Sequence, residues 1–194
     1  MSEEKNMAEV KILIKGYTSA DSAAAGDEEK TCPTITLIKD GTNVIVVDPG
    51  VLESQTVLVD KLKDEELTIQ DVNYVFLTHS HPDHHMNTGM FAEAKKLEFY
   101  GLWEGNKCSD WNLDFSDDIR IIKTPGHSDD SLTFLVQTDL GKVAVCGDVF
   151  WKENYPEKDQ YANDLVRLAE SREEVLKIAD YVIPGHGEMF KVNK

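Results

Sequence analysis

Thr78-His79-Ser80-His81-Pro82-Asp83-His84 places three histidines and one aspartate within six residues. Imidazole nitrogen and carboxylate oxygen are the donors that suit zinc, iron or manganese. A lone histidine is most often an ordinary core or surface residue with one hydrogen bond. The distribution here argues otherwise. The chain's six histidines stand at 79, 81, 84, 85, 127 and 186, and four of them share this one stretch. The other two, His127 and His186, each close a Pro-Gly-His tripeptide that follows an apolar run. Asp148 comes just after the apolar run Val143-Ala144-Val145-Cys146.

Strands must deliver these residues. Val72-Asn73-Tyr74-Val75-Phe76-Leu77 reads as a buried strand, with the His/Asp cluster in the loop beyond it and a short helix over 87–94. Glu9 to Gly16 reads as a first strand, and 19–30 as a mobile polar loop. Thr34–Ile38 and Asn43–Val47 flank Asp40-Gly41, a hairpin signal, and the second arm ends at Asp48-Pro49-Gly50. Ser54 to Glu66 suggests an amphipathic helix with Val57, Leu58 and Leu62 on one face. Leu97 to Gly101 reads as a short strand, and 103–112 as irregular. Trp103 and Trp111 in that stretch suit the edge of a core, or less simply the wall of a pocket. Ile119–Lys123 leads to His127; Leu132–Val136 and Lys142–Cys146 form a second hairpin leading to Asp148. Residues 160–168 read as helical, Ser171-Arg172-Glu173-Glu174 as a capping box opening another helix, and Tyr181–Ile183 as the strand before His186.

At 194 residues and 41% hydrophobic content the chain can bury the core of one domain, expected over 1–194. Its formal net charge of −16 opposes nucleic acid, whose binding rests on Lys and Arg against phosphate, and opposes anionic membranes. A small anionic substrate is still admissible beside bound cations. Three widely spaced cysteines, Cys32, Cys108 and Cys146, without a Cys-x-x-Cys, fit free thiols in a reducing, cytoplasmic setting. The polar start over residues 1–6 has no signal-peptide pattern, and no run is long enough to span a membrane. Self-association into a homo-oligomer is compatible with the sequence.

His-x-His-x-Asp-His resembles the signature of the metallo-β-lactamase-fold hydrolases. The resemblance runs from about Ile35 to Phe190. It includes Val46-Val47-Asp48-Pro49-Gly50, Leu67-Thr68-Ile69-Gln70-Asp71-Val72, Thr124-Pro125-Gly126-His127-Ser128, Cys146-Gly147-Asp148 and Ile183-Pro184-Gly185-His186-Gly187, in that order. It implies an α/β fold, a four-layer αββα sandwich with ligands past strand ends. It also implies that His79, His81 and His127 hold one metal, that Asp83, His84 and His186 hold another, and that Asp148 bridges them. Asp48 then supports the metal loop without being a ligand, and His85 has no role in the pattern. Met86 and Asn87 depart from it, standing where many relatives have glycine.

The resemblance implies two divalent ions, zinc first, with iron or manganese as alternatives. A bridging hydroxide would attack a small ester, thioester, lactone or phosphoester, with Asp83 and Asp148 as the catalytic carboxylates. Two other readings share the motif. One is a mononuclear non-haem iron persulfide dioxygenase. The other is a metal-dependent ribonuclease, which the net charge opposes. A non-catalytic metal-binding module is weaker than all of these, because every ligand position is filled.

Overall fold

A computed structural model of the chain describes residues 7–22 and 28–194. The expected polar start and the middle of the expected mobile loop lie outside the described residues. In chain order the strands are β1 (Glu9–Ile14), β2 (Tyr17–Thr18), β3 (Thr31–Cys32), β4 (Ile35–Asp40), β5 (Asn43–Val47), β6 (Tyr74–Phe76) and β7 (Lys95–Glu98). They continue with β8 (Gly101–Glu104), β9 (Lys107–Ser109), β10 (Ile119–Lys123), β11 (Leu132–Thr138), β12 (Gly141–Val145), β13 (Tyr181–Ile183) and β14 (Phe190–Lys191). The helices are α1 (Gln55–Asp64), α2 (Pro82–His85) and α3 (Leu165–Ile178).

The strands form a seven-stranded sheet in the order β1-β4-β5-β6-β7-β8-β9, a five-stranded sheet β10-β11-β12-β13-β14, and a small ribbon of β2 and β3. Alternation along each strand explains the layers, because successive side chains point to opposite faces. Ile45 and Val47 of β5 join the apolar layer between the sheets, while Val46 faces outward with Leu58 and Leu62 of α1. Phe134 and Val136 of β11 enter the same middle layer, whereas Leu135 packs outward with Leu168 and Val175 of α3. The result is helix, sheet, sheet, helix: the expected αββα sandwich. Phe76 meets Phe134 across the middle layer at 4.7 Å between ring centroids.

Both sheets are mixed, holding parallel neighbours beside the two hairpins expected from the sequence. β5, β6 and β7 run parallel, and so do β12 and β13. Parallel neighbours end at the same edge. This is why Asp48 after β5, His79 after β6, Asp148 after β12 and His186 after β13 reach one place. β10 is antiparallel to β11, as β11 is to β12, so β10 also points to that edge with His127 beyond it.

Local structure departs from expectation at several points. Asp83 and His84 lie on α2 and not in an extended loop. Pro82 opens that helix, where its missing N–H is no loss. The helix expected over 87–94 shrinks to one 3-10 turn, Thr88–Met90. The expected irregular stretch 103–112 contains the β8–β9 hairpin. Trp103 is partly exposed and donates to Glu98, and Trp111 packs at the core edge, so neither walls the site. Residues 160–164 are not helical: Asp164 caps α3 by accepting from the Val166 and Arg167 N–H groups. Ser171 is therefore no cap. It sits buried inside α3 and donates to the Pro125 carbonyl at 2.7 Å. Val57 is 42% exposed, because Leu58 and Leu62 alone define the buried face of α1 and Val57 falls about 100° away from Leu58. Among the described residues no helix is long and apolar enough to cross a membrane.

These burials set a contrast in stability. Phe134→Ala should lose about 3–5 kcal/mol, because a buried ring leaves a cavity between the sheets. Val57→Ala should stay within about 0.5 kcal/mol. Urea unfolding of both variants measures the difference.

Candidate metal centre

Asp48 has left-handed backbone, φ 49°, at the turn out of β5. From there one buried carboxylate organises the metal loop. It accepts from the Thr78 N–H at 2.8 Å and from the Thr78 hydroxyl at 2.6 Å, and it holds His84 Nδ1 at 2.8 Å. Asp48 itself belongs to neither donor group described below.

The predicted site residues come together in two groups. His79, His81, His127 and Asp148 form one, and Asp83, His84 and His186 form the other; within each, the ligand atoms lie within 4.8 Å of one another. Asp148 stands between the groups. Its Oδ1 is 3.2 Å from His186 Nε2 and 3.4 Å from His84 Nε2, while its Oδ2 is 3.4 Å from His127 Nε2. His85 is half-buried and falls in neither group.

The inner nitrogens are aimed by bonds on the far side of each ring. His84 Nδ1 is held by Asp48, His127 Nδ1 by Asp159 at 2.6 Å, and His186 Nδ1 by the Cys32 carbonyl at 2.9 Å. His79 Nδ1 meets the Thr78 hydroxyl at 3.1 Å. Such outer partners fix tautomer and ring orientation in metal sites. Asp83 Oδ2 accepts from the Thr31 hydroxyl at 2.9 Å.

Three observations test whether a cation fits. His79 Nε2, His84 Nε2 and Asp148 Oδ1 are buried with no hydrogen-bond partner, a costly state unless something else satisfies them. His81 Nδ1 and His127 Nε2 approach to 2.9 Å, two imidazole nitrogens of one donor group brought to one point. The backbone is also shaped to admit the carboxylate: a Cβ on Gly185 would lie 1.8 Å from Asp148 Oδ1. The donor set of imidazole and carboxylate suits a divalent transition-metal ion.

Electrostatics agree. Burial opposes the charge on Asp148, but His186 and His84 outweigh it and hold the carboxyl well below the usual range. Burial likewise disfavours protonated His84 and His186, yet Asp148, with Asp48 in the case of His84, raises both above the ordinary histidine value. His79 and His81 go the other way. Burial and the neighbouring imidazoles lower them, leaving neutral rings with a free lone pair.

Above the site opens a cavity of about 340 Å³, reached by Thr31, Asp83, His81, His127, Asp148 and His186 from below. Trp151 and Tyr161 stack along one side at 5.9 Å and 27°. Thr18, Ala20 and Glu29, at the ends of the loop expected to be mobile, line it as well. Sequence reasoning missed Asp159, Trp151, Tyr161 and Glu29. Trp151 lies three residues past Asp148, and that proximity was the available signal. The stretch 154–163 carries no periodicity that could have marked Asp159.

Two outcomes follow for metal binding. Asp159→Ala should weaken metal affinity about 10–100-fold by freeing the His127 ring; competition against a chelating dye measures it. Without an ion, Asp148 favours protonation of His84 and His186, raising both above the ordinary histidine value. Loading must displace any proton these rings carry, so apparent affinity should fall as pH drops. Titration calorimetry in buffers of different ionisation enthalpy counts the protons released.

Residues 33–104 match the profile of the Metallo-beta-lactamase superfamily. Metallo-beta-lactamase domain-containing protein 1 of Xenopus laevis is 33% identical over 195 residues, 95% of this chain and 82% of that protein. Hydroxyacylglutathione hydrolase 1 of Vibrio vulnificus is 27% identical over 77% of this chain and 67% of its own. Among solved structures, a metallo-beta-lactamase fold protein of Thermotoga maritima superposes with a TM-score of 0.75 at 21% identity, covering 96% of this chain and all of that one. With its convergent histidines and aspartates, the chain belongs to the metallo-β-lactamase superfamily, as a metal-dependent hydrolase.

Proposed function

We propose that the chain is a dinuclear hydrolase of a small ester or thioester, in the wider class that includes lactones and phosphoesters. The observation that carries this is Asp148, with one oxygen turned to each donor group. His79, His81 and His127 would hold one ion, Asp83, His84 and His186 the other, and Asp148 would bridge. Ions bound there supply Lewis acidity, polarising a carbonyl or phosphoryl oxygen and making water acidic enough to deprotonate near neutral pH. Zinc suits the set; iron and manganese accept the same donors.

The chain's own residues do the rest. Asp48 and Asp159 lock the rings of His84 and His127, so the donors need no rearrangement as charge develops. Asp83 is the less buried of the two catalytic carboxylates and borders the cavity. It would accept a proton from water and return it to the leaving group. Trp151 and Tyr161 exclude water from one side of the substrate.

A mononuclear iron dioxygenase would use only the first group. His84 Nε2 would then stay buried and unpartnered. A ribonuclease would need basic residues around the cavity, and among the described lining residues there is no lysine or arginine.

Metal analysis after saturation and desalting should give close to two ions per chain. Asp148→Ala should retain one or fewer, with hydrolysis reduced at least about a hundredfold. One ion in the saturated wild type, or unchanged content in Asp148→Ala, would end the dinuclear reading.

A further inference from the structure

With ions bound, the floor of the cavity attracts a carbonyl oxygen. Its mouth has the opposite character. No lysine or arginine among the described residues lines it. Lys152, beside Trp151 in the chain, is paired with Asp21 and packs over the Tyr155 ring. The mouth instead carries Glu29, a carboxylate in neither donor group.

Glu29 accepts the Tyr161 hydroxyl at 2.5 Å. A carboxylate offers about four acceptor positions, so this bond leaves capacity for a ligand. Tyr161 is 45% exposed, and the stack of its ring on buried Trp151 keeps it in place. A carboxylate beside an open, fixed aromatic ring is the pairing that holds an organic cation. The formal net charge of −16 draws the same kind of ligand from solution. Asp83 and Asp148 offset part of the charge of the bound ions, so a cationic group is tolerated at the mouth while the carbonyl meets the floor.

Resting on the hydrolase reading above, we propose that the substrate carries an ammonium or quaternary nitrogen, seated against Glu29 and Tyr161 and remote from the scissile ester or thioester bond. The polarity of the cavity then orients the substrate, carbonyl down and cation outward.

Binding and turnover test this separately. Calorimetry on the metal-loaded full chain compares choline with 3,3-dimethylbutan-1-ol, which has the same shape without the charge. Choline should bind about tenfold more tightly. The gap should close in Glu29→Gln, and Glu29→Lys should favour the neutral alcohol. Circular dichroism and metal content show that both variants are folded and loaded. Equal affinity of the wild type for the two ligands, or a gap that persists in Glu29→Gln, overturns the proposal. Hydrolysis of acetylthiocholine and of 3,3-dimethylbutyl thioacetate gives the second readout, with the preference expected in KM rather than kcat. If neither thioester is cleaved while the choline preference depends on Glu29, the cation site stands and the thioesterase reading fails.

Discussion

The structure depends on a buried carboxylate among imidazoles. Asp148 sits within 3.2 to 3.4 Å of three histidine nitrogens, with one of its oxygens unpartnered. Taking such groups out of water is unfavourable unless charge and hydrogen bonds compensate. In the bare protein, electrostatic attraction between Asp148 and the His84 and His186 rings supplies part of that compensation. A cation supplies it better, because it can also satisfy the neutral rings of His79 and His81. The same desolvation that makes the empty site costly strengthens electrostatic attraction for an ion.

Sheet topology puts that carboxylate there. Strands with parallel neighbours release their chains at one edge, and the tight turns after them carry the chemistry. Asp48 accepts left-handed backbone, and Gly185 lacks a side chain where Asp148 needs room. Behind the first edge, Asp48 ties the Thr78 backbone to the His84 ring. Behind the second, the segment after Asp148 returns Asp159 to His127, while the Asn163 and Asp164 N–H groups bond the carbonyls of His127 and Gly126. Arg172 of α3 steadies this return by donating to the carbonyls of Val149 and Pro156.

The site's composition was legible because it follows local rules. Apolar runs followed by His or Asp mark strand ends, and the Pro-Gly-His tripeptides mark sharp exits from them. The αββα layers followed from the resemblance, and the alternation of β5 and β11 side chains between the middle and outer layers agrees with it. What was not legible is non-local. Ser171 looked like a cap, but Asp164 offered its carboxylate one helical stretch earlier, and the Ser171 hydroxyl found the Pro125 carbonyl, 46 residues away in the chain. Asp159 carries no local signature, because its meaning comes only from the ring it touches. Trp151 outranked Trp103 and Trp111 at the cavity because of where the chain returns, which composition does not encode.

The two donor groups draw on both sheets. His79, His81, Asp83 and His84 follow β6, whereas His127, Asp148 and His186 follow strands of the other sheet. At the same edge the sheets are already joined by backbone bonds, Leu132 N–H to the Thr78 carbonyl at 2.7 Å and Thr34 N–H to the Gly185 carbonyl at 2.6 Å. An ion at this seam is therefore a cross-link between the two halves of the sandwich. By mass action, its affinity for the folded chain adds to the free energy that keeps the halves together. A chelator would then lower the stability of the folded sandwich without touching any of its hydrogen bonds, and the loss would scale with how tightly the ions were held.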